Sequence, residues 1–338
     1  MQFSGLTADS LLPRRGSRQI LSDPLGNEAG SRRSYKKMQA NGSYSSWSAA
    51  LRSHLIDYIS LLLLVLFLIL SESAHPFSKQ IYHGQTADLE IWRYSYPLHV
   101  KQQIPAWAVP TISIFGPLVV IGLWAAITRP RRAEIHNTVM ACLFAVFVTA
   151  LVTNLIKLGV GRPRPNFMER CWPDGPVSWD ASGQARCSDK AIDPSEGRKS
   201  FPSGHTSWTT SGLGFLSIWT AGKLRCFDGR GQPWRIVISA TPVGCAIWIG
   251  ITRLQDYWHH WEDVSVGFLL GITIAYIFYR QQFPALTSPH AGEHLQAIDK
   301  PSPGEGLLGN ARRTESTAGP PTHIDLETGI GYYDSDHT

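Results

Sequence analysis

The chain has 338 residues, and 31 Lys and Arg against 26 Asp and Glu give it a net charge of +5. Charged residues make up 17% and apolar residues 43%, under the usual shares of about 25% and about 45–50%. These averages, with a mean hydropathy of −0.09, exclude collagen, a wholly disordered chain and a disulfide-dense miniprotein, but not a membrane protein, because averages hide segregation.

Residues 1–54 carry eight basic and three acidic residues, a net of +5, in a Ser- and Gly-rich stretch without apolar periodicity. They read as a disordered, basic cytoplasmic tail. No apolar stretch of a cleaved secretory signal occurs there, although a Ser- and Arg-rich leader also fits a plastid transit peptide. Six apolar stretches come next, over Tyr58–Leu70, Ile104–Thr128, Ile135–Ile156, Thr206–Ala221, Ile236–Ile251 and Val264–Tyr279. A span takes roughly 17–25 residues, so the shorter stretches must recruit flanking residues. Residues 281–338 carry eight acids against three basic residues, a net of −5. The tails cancel, and the chain divides into a basic tail (1–54), a six-helix body (55–283) and a disordered acidic cytoplasmic tail (284–338). The expected fold class is an all-α integral membrane protein with six transmembrane helices.

Basic residues in loops set orientation. The N-terminal tail, the Arg129, Arg131 and Arg132 loop, and the Lys223, Arg225, Arg230 and Arg235 loop share one parity. They are expected in the cytoplasm, with both termini. The 157–204 loop lies on the opposite side, yet holds eight basic residues, from Lys157 to Lys199. An anionic ligand is one reason for that exception. Cys171 and Cys187 share this loop and are expected to pair, because that side can be oxidising. Cys142 and Cys245 read as apolar filler and Cys226 as a reduced cytoplasmic thiol. The sequon at Asn41 falls on the cytoplasmic side, where no glycan is expected. The basic isoelectric point, about 9.0, comes without a basic stripe or aromatic RNA-binding signature, so no nucleic-acid partner is expected.

Three short segments then meet at one face. KLGVGRPRP (Lys157–Pro165) ends the third stretch, PSGH (Pro202–His205) opens the fourth, and TRLQDYWHHWED (Thr252–Asp263) joins the last two. Lys157, Arg164 and Arg253 supply cations, and guanidinium groups hold phosphate oxygens bidentately. Ser203 and Gly204 lead into a helix, whose N-terminus is an anion site that glycine lets an oxyanion approach. His205 and His259 suit proton transfer or nucleophilic attack. Asp263, four residues after His259, would share its helix face if the helix begins there, and a carboxylate on one imidazole nitrogen leaves the other basic. Spacing alone lets the two histidines exchange roles. Arg162 could touch phosphate or water. His260 reads as a packing residue, and Trp258 and Trp261 as markers of the membrane interface.

Together the segments resemble the type 2 phosphatidic acid phosphatase superfamily, whose pattern is Lys, six residues, Arg-Pro; Pro-Ser-Gly-His; then Ser-Arg, five residues, His, three residues, Asp. Lys157 with Arg164-Pro165, Pro202–His205, and Arg253, His259 and Asp263 fit it, and Thr252 replaces the usual Ser while keeping the hydroxyl. GRPRPNF, RCWPDG, KSFPSGHTSW and DYWHHWED look most like eukaryotic lipid phosphate phosphatases, and the likeness spans about residues 55–290. It implies His259 as nucleophile oriented by Asp263, His205 as general acid, and Lys157, Arg164, Arg253, Ser203 and Gly204 as phosphate ligands. It implies no metal and no cofactor, because Asp256, Glu262 and Asp263 lack a dense oxygen-ligand pattern. The expected substrate is a lipid phosphate such as phosphatidate, lysophosphatidate or diacylglycerol pyrophosphate. It is to be hydrolysed at the extracytoplasmic face of an endomembrane or the plasma membrane. A polyisoprenyl phosphatase with the same site, and a silent lipid-binding or transport protein, are the alternatives; six spans argue against a soluble vanadium haloperoxidase. The sequence leaves the oligomeric state open.

Overall fold

The structure, a computed structural model, describes residues 54–79, 92–175, 177–183 and 186–298. The expected tails before 54 and after 298, and the sequon at Asn41, lie outside the described residues. The chain divides into two units, Met1–Ile59 and Ser60–Thr338. In the first unit only residues 54–59 are described, and they open the first helix.

The helices are α1 (Leu55–Glu72), α2 (Ala108–Thr128), α3 (Arg132–Val160), α4 (Phe167–Cys171), α5 (Gly204–Lys223), α6 (Pro233–Gln255), α7 (Trp261–Gln282) and α8 (Leu295–Ile298). No extended strand occurs among the described residues. Each expected apolar stretch is a helix. The second starts later than expected, at Ala108, because residues 104–107 belong to a strap that runs over the functional end. Among the described residues five helices, α1, α2, α3, α6 and α7, are long and apolar enough to cross a membrane.

The fourth stretch, α5, falls short in hydropathy because it carries Thr206, Ser207, Thr209, Thr210, Ser211, Ser217 and Thr220. Its position explains the polarity. α5 packs against α2, α3, α6 and α7, so its hydroxyls meet protein. Thr149 Oγ1 donates to Ser211 Oγ at 3.1 Å, and Thr153 and Ser207 hydroxyls meet at 2.8 Å. Such bonds, and small residues that let backbones approach, hold helices together where no hydrophobic force separates helix from lipid. By contrast α1 presents Leu62, Leu63, Leu66, Phe67 and Leu70 outward.

α5 and α7 cross closely at Gly271. A Cβ added there would sit 2.4 Å from the Ser207 carbonyl oxygen and 3.0 Å from the Ser211 nitrogen. Gly271→Leu is therefore expected to destabilise the bundle by about 1–3 kcal/mol, read as a lower melting temperature in detergent. Gly122→Leu on α2, where a Cβ meets nothing within 4 Å, is the control that leaves it unchanged.

Two cores position the site. One, built from Ile121, Cys142, Phe215, Trp219, Ala275, Tyr279 and Phe283, fills the bundle. The other, Tyr94, Phe167, Met168, Cys171 and Trp172, lies under the segment joining α3 to α5. Cys171 and Cys187 are disulfide-bonded in that segment, with Cα atoms 4.4 Å apart.

The described chain continues past residue 283 to residue 298. Ala291 and His294 are buried, and Lys223 Nζ donates to the Gly292 carbonyl and to Glu134, each at 2.6 Å. Residues 284–298 thus pack with the helical body.

Candidate active site

α3 ends where Gly161 takes a left-handed φ of 57°, a conformation that favours glycine. A Cβ there would also overlap the Phe77 carbonyl. This stop leaves Lys157 in the last turn. Its Nζ reaches over the start of α5, 3.0 Å from where a Gly204 Cβ would stand. Any larger residue at 204 would push the ammonium away.

Ser203 is the N-cap of α5: its Oγ accepts from Thr206 N at 3.5 Å and from Thr206 Oγ1 at 3.0 Å. The first turn beyond it carries N–H groups that have no partner within the helix, an anion-binding arrangement. Ser203 N donates to the Asp263 carbonyl at 2.9 Å, which joins the start of α5 to the start of α7.

His259 is buried. Its Nδ1 lies 2.7 Å from the Ser200 carbonyl oxygen. A carbonyl can only accept, so Nδ1 carries the proton and Nε2 the lone pair. That lone pair faces Arg164 Nη1 at 3.4 Å. Burial pushes the His259 imidazole down to about 4; the Asp263 carboxylate raises it, and the Arg164 and Lys157 charges lower it.

Asp263 occupies a different position from the one spacing suggested. The helix starts at Trp261 with His260 as N-cap, in a reciprocal capping box with Asp263. His259 therefore precedes the helix, and no shared helical face links it to Asp263. The carboxylate still lies 3.7 Å from His259 Nδ1. Its close partners are Arg162 Nη1 at 2.7 Å, Ser200 Oγ at 2.6 Å and His260 N at 2.9 Å. The Ser200 carbonyl sets the imidazole, and Asp263 acts as its buried counter-charge.

Arg164 is also buried. Its guanidinium donates to the Glu196 carboxylate, to the Glu196 carbonyl at 2.9 Å and to the Trp258 carbonyl at 3.3 Å. It lies 4.7 Å over the Trp258 ring, as does Arg170. Burial would raise the Glu196 carboxyl, but Arg164, Lys157, Lys199 and Arg170 together hold it below the ordinary range. Glu196 is the local counter-anion of this cation cluster.

Arg253, fully buried, bonds Thr252, Asp256 and Gln102. His205 Nε2 lies 3.1 Å from the Ile104 carbonyl oxygen and within electrostatic reach of Arg253, His259 and Lys157. The structure thus gathers all eight residues that the three segments nominated at one end of the bundle. It adds four that spacing did not indicate: Ser200, Glu196, Gln102 and Gln103. The Ser200 role is played by a backbone carbonyl, which no residue type advertises. Glu196 could have been suspected as an acid inside a basic loop.

The neighbouring residues that the sequence singled out are placed as follows. Arg162 pairs with Asp263 at 2.7 Å and with Glu262 at 3.5 Å. Trp258 lies beside the Arg164 and Arg170 guanidinium groups and donates from Nε1 to the His99 carbonyl at 3.0 Å. Trp261 is exposed. His260 caps α7 and meets the Tyr94 ring edge-on.

The pattern of the PAP2 superfamily matches residues 138–286. Lipid phosphate phosphatase 2 of Arabidopsis thaliana is 40% identical over 239 residues, 70% of this chain and 80% of that protein. Lipid phosphate phosphatase 1 of the same plant is 38% identical, covering 68% of each chain. The probable diacylglycerol pyrophosphate phosphatase 1 of Schizosaccharomyces pombe is 37% identical, over 64% of this chain and 76% of the relative. No solved structure matches.

Proposed function

Because this chain belongs to the PAP2 superfamily and is a lipid phosphate phosphatase, an enzyme of the membrane, we propose that it removes phosphate from phosphatidate and related lipid phosphates through a phosphohistidine on His259. Lysophosphatidate and diacylglycerol pyrophosphate are the related substrates. The observation that carries the mechanism is the His259 lone pair on Nε2, held 3.4 Å from a phosphate-binding guanidinium.

The headgroup binds between Lys157, Arg164, Arg253 and the first turn of α5. Fixed donors in a low-dielectric site stabilise charge that develops on the equatorial oxygens. The Nε2 lone pair of His259 attacks phosphorus, the bond to the lipid oxygen breaks, and His205 gives its proton to the departing alkoxide. The phosphorylated imidazole gains positive charge, which the Asp263 carboxylate and the Ser200 carbonyl offset. Water then attacks phosphorus, His205 takes its proton, the P–N bond breaks and the His259 lone pair returns.

No metal enters this scheme. Asp256, Glu262 and Asp263 each face arginine instead: Asp256 meets Arg253, Glu262 meets Arg93 and Arg162, and Asp263 meets Arg162.

α5 is the sixth span in this reading, its polar face screened by its neighbours. The active site faces away from the cytoplasm and both termini face it. Two features support this orientation. The Arg129–Arg132 and Lys223–Arg235 loops join helix ends opposite the site, and the Cys171–Cys187 disulfide lies on the site's side. A lipid headgroup reaches such a site while its chains stay in the bilayer.

The test is hydrolysis of phosphatidate by purified protein in detergent with EDTA. Full activity is expected; loss restored by magnesium would overturn the metal-free scheme. The same assay reads the nucleophile. His259 must be neutral to attack, so activity is present above its pKa and lost as pH falls through it. The acid limb of kcat/KM is expected at about 4, under the ordinary histidine value of about 6.5; His205, which burial also pushes down, takes up its proton as the dianionic headgroup binds beside it. Two substrates with different phosphate ionisations separate the enzyme's limb from their own.

A further inference from the structure

The strap of residues 92–107 is sewn to the end of α6 around one guanidinium. Arginine has five N–H donors. In Arg253, Nε and Nη2 donate to Thr252 Oγ1 at 3.1 and 3.0 Å. Nη2 also donates to Asp256 Oδ2 at 3.0 Å, and Nη1 donates to Gln102 Oε1 at 2.8 Å. Asp256 is itself buried and receives two more bonds, from Gln103 N and Gln103 Nε2, each at 3.0 Å. One whole edge of the guanidinium is thereby committed to the chain's own oxygens. Only Nη1 remains to meet a substrate, and Gln102 occupies one of its two donors.

We infer that Asp256, clamped by Gln103, is a positioning residue that fixes the Arg253 guanidinium with Nη1 toward the phosphate, and that Gln102 Oε1 competes with a phosphate oxygen for an Nη1 donor. The inference rests on Arg253 as a phosphate ligand. Its physical content is an asymmetry. The Asp256 carboxylate binds the edge away from the substrate, so removing it frees the fork to rotate. The Gln102 carbonyl binds the edge toward the substrate, so removing it frees a donor. Phosphate contact through both Nη1 donors then requires the strap to release Gln102, while the Gln103–Asp256 clamp stays closed.

The two contacts predict opposite signs. Inorganic phosphate serves as the probe, read by protection against thermal unfolding in detergent and by competitive inhibition of phosphatidate hydrolysis. Asp256→Asn is expected to weaken phosphate binding and kcat/KM about ten- to a hundredfold, the range for lost support of a ligating side chain. Gln102→Ala is expected to tighten phosphate binding about three- to tenfold, the range for one competing hydrogen bond. Gln103→Leu keeps the carboxylate and loses one clamp bond; it should weaken binding in the direction of Asp256→Asn, by less, and serves if Asp256→Asn does not fold. A purely structural strap would move Asp256→Asn and Gln102→Ala the same way, and that result overturns the inference. Wild-type affinity in Asp256→Asn and Gln103→Leu also overturns it. No protection of the wild-type protein by phosphate would remove the phosphate site itself, and both readings with it.

Discussion

Replacing His259 with Ala is expected to lower phosphatidate hydrolysis about 10⁴-fold or more, the scale seen when the nucleophile of a catalytic unit is removed. The reaction itself sets that size. Uncatalysed phosphomonoester hydrolysis is among the slowest reactions that enzymes accelerate, and without Nε2 the covalent step has no acceptor. The remaining cations still bind phosphate but cannot divide the displacement into two steps. Three readings check this: steady-state turnover without magnesium, acid-labile phosphate on the protein after quenching, and the melting temperature. The variant should carry no trapped phosphate, and its melting temperature separates the lost chemistry from the cost of removing a buried ring that bonds the Ser200 carbonyl. Turnover within tenfold of wild type, or phosphate still trapped, would sink the assignment.

The sequence carried the site further than it carried the fold. Lys157, Arg164, Ser203, Gly204, His205, Arg253, His259 and Asp263 were legible because side-chain chemistry at fixed spacing is written in residue types. The i+4 spacing would place Asp263 on the face of His259 only in a helix that begins at His259. In the structure His260 caps α7, the Asp263 carboxylate folds back on the helix N-terminus, and it lies 3.7 Å from His259 Nδ1. A capping signal of this kind is weak in sequence because histidine is an uncommon N-cap. The strap was not legible at all. Residues 104–107 continue an apolar stretch, and hydropathy has no means to tell a helix start from a segment whose Ile104 carbonyl meets His205. α5 shows the opposite failure. Its seven hydroxyl residues lowered its hydropathy below that of a lipid-facing span, yet they mark the centre of the bundle, where Thr149 and Thr153 answer them.

The excess of positive charge in the 157–204 segment also has a structural answer beyond the ligand. Arg164 meets Glu196, Arg162 meets Asp263, and Lys190 meets Asp174 at 3.1 Å. Charge counting by loop saw the cations and missed that their partners come from the same segment and from α7. In the proposed scheme a phosphate would meet buried guanidinium edges whose net field is trimmed by carboxylates. Such a site favours a strongly charged phosphate over weaker anions, because the ligand must displace acceptors already in place.

His205 carries the prediction that separates the two histidines, which spacing allowed to exchange roles. As general acid in the first step it serves a poor leaving group, a lipid alkoxide. His205→Ala is expected to lower phosphatidate turnover about 10²–10⁴-fold, the range for a positioned proton donor. With an aryl phosphate the leaving group needs no proton, so the first step is spared. The second step still lacks a base for water. The variant should therefore release a burst of about one equivalent of phenolate per site and then stall, with phosphate held on His259. Wild-type enzyme, with both steps served, should show no such stall. If the roles were exchanged, His205→Ala would give neither burst nor phosphoenzyme, and His259→Ala would give both. The burst amplitude thus decides between the assignments independently of how far either variant slows the lipid reaction, and it does so from the atom that the structure places beside Arg164, the Nε2 of His259.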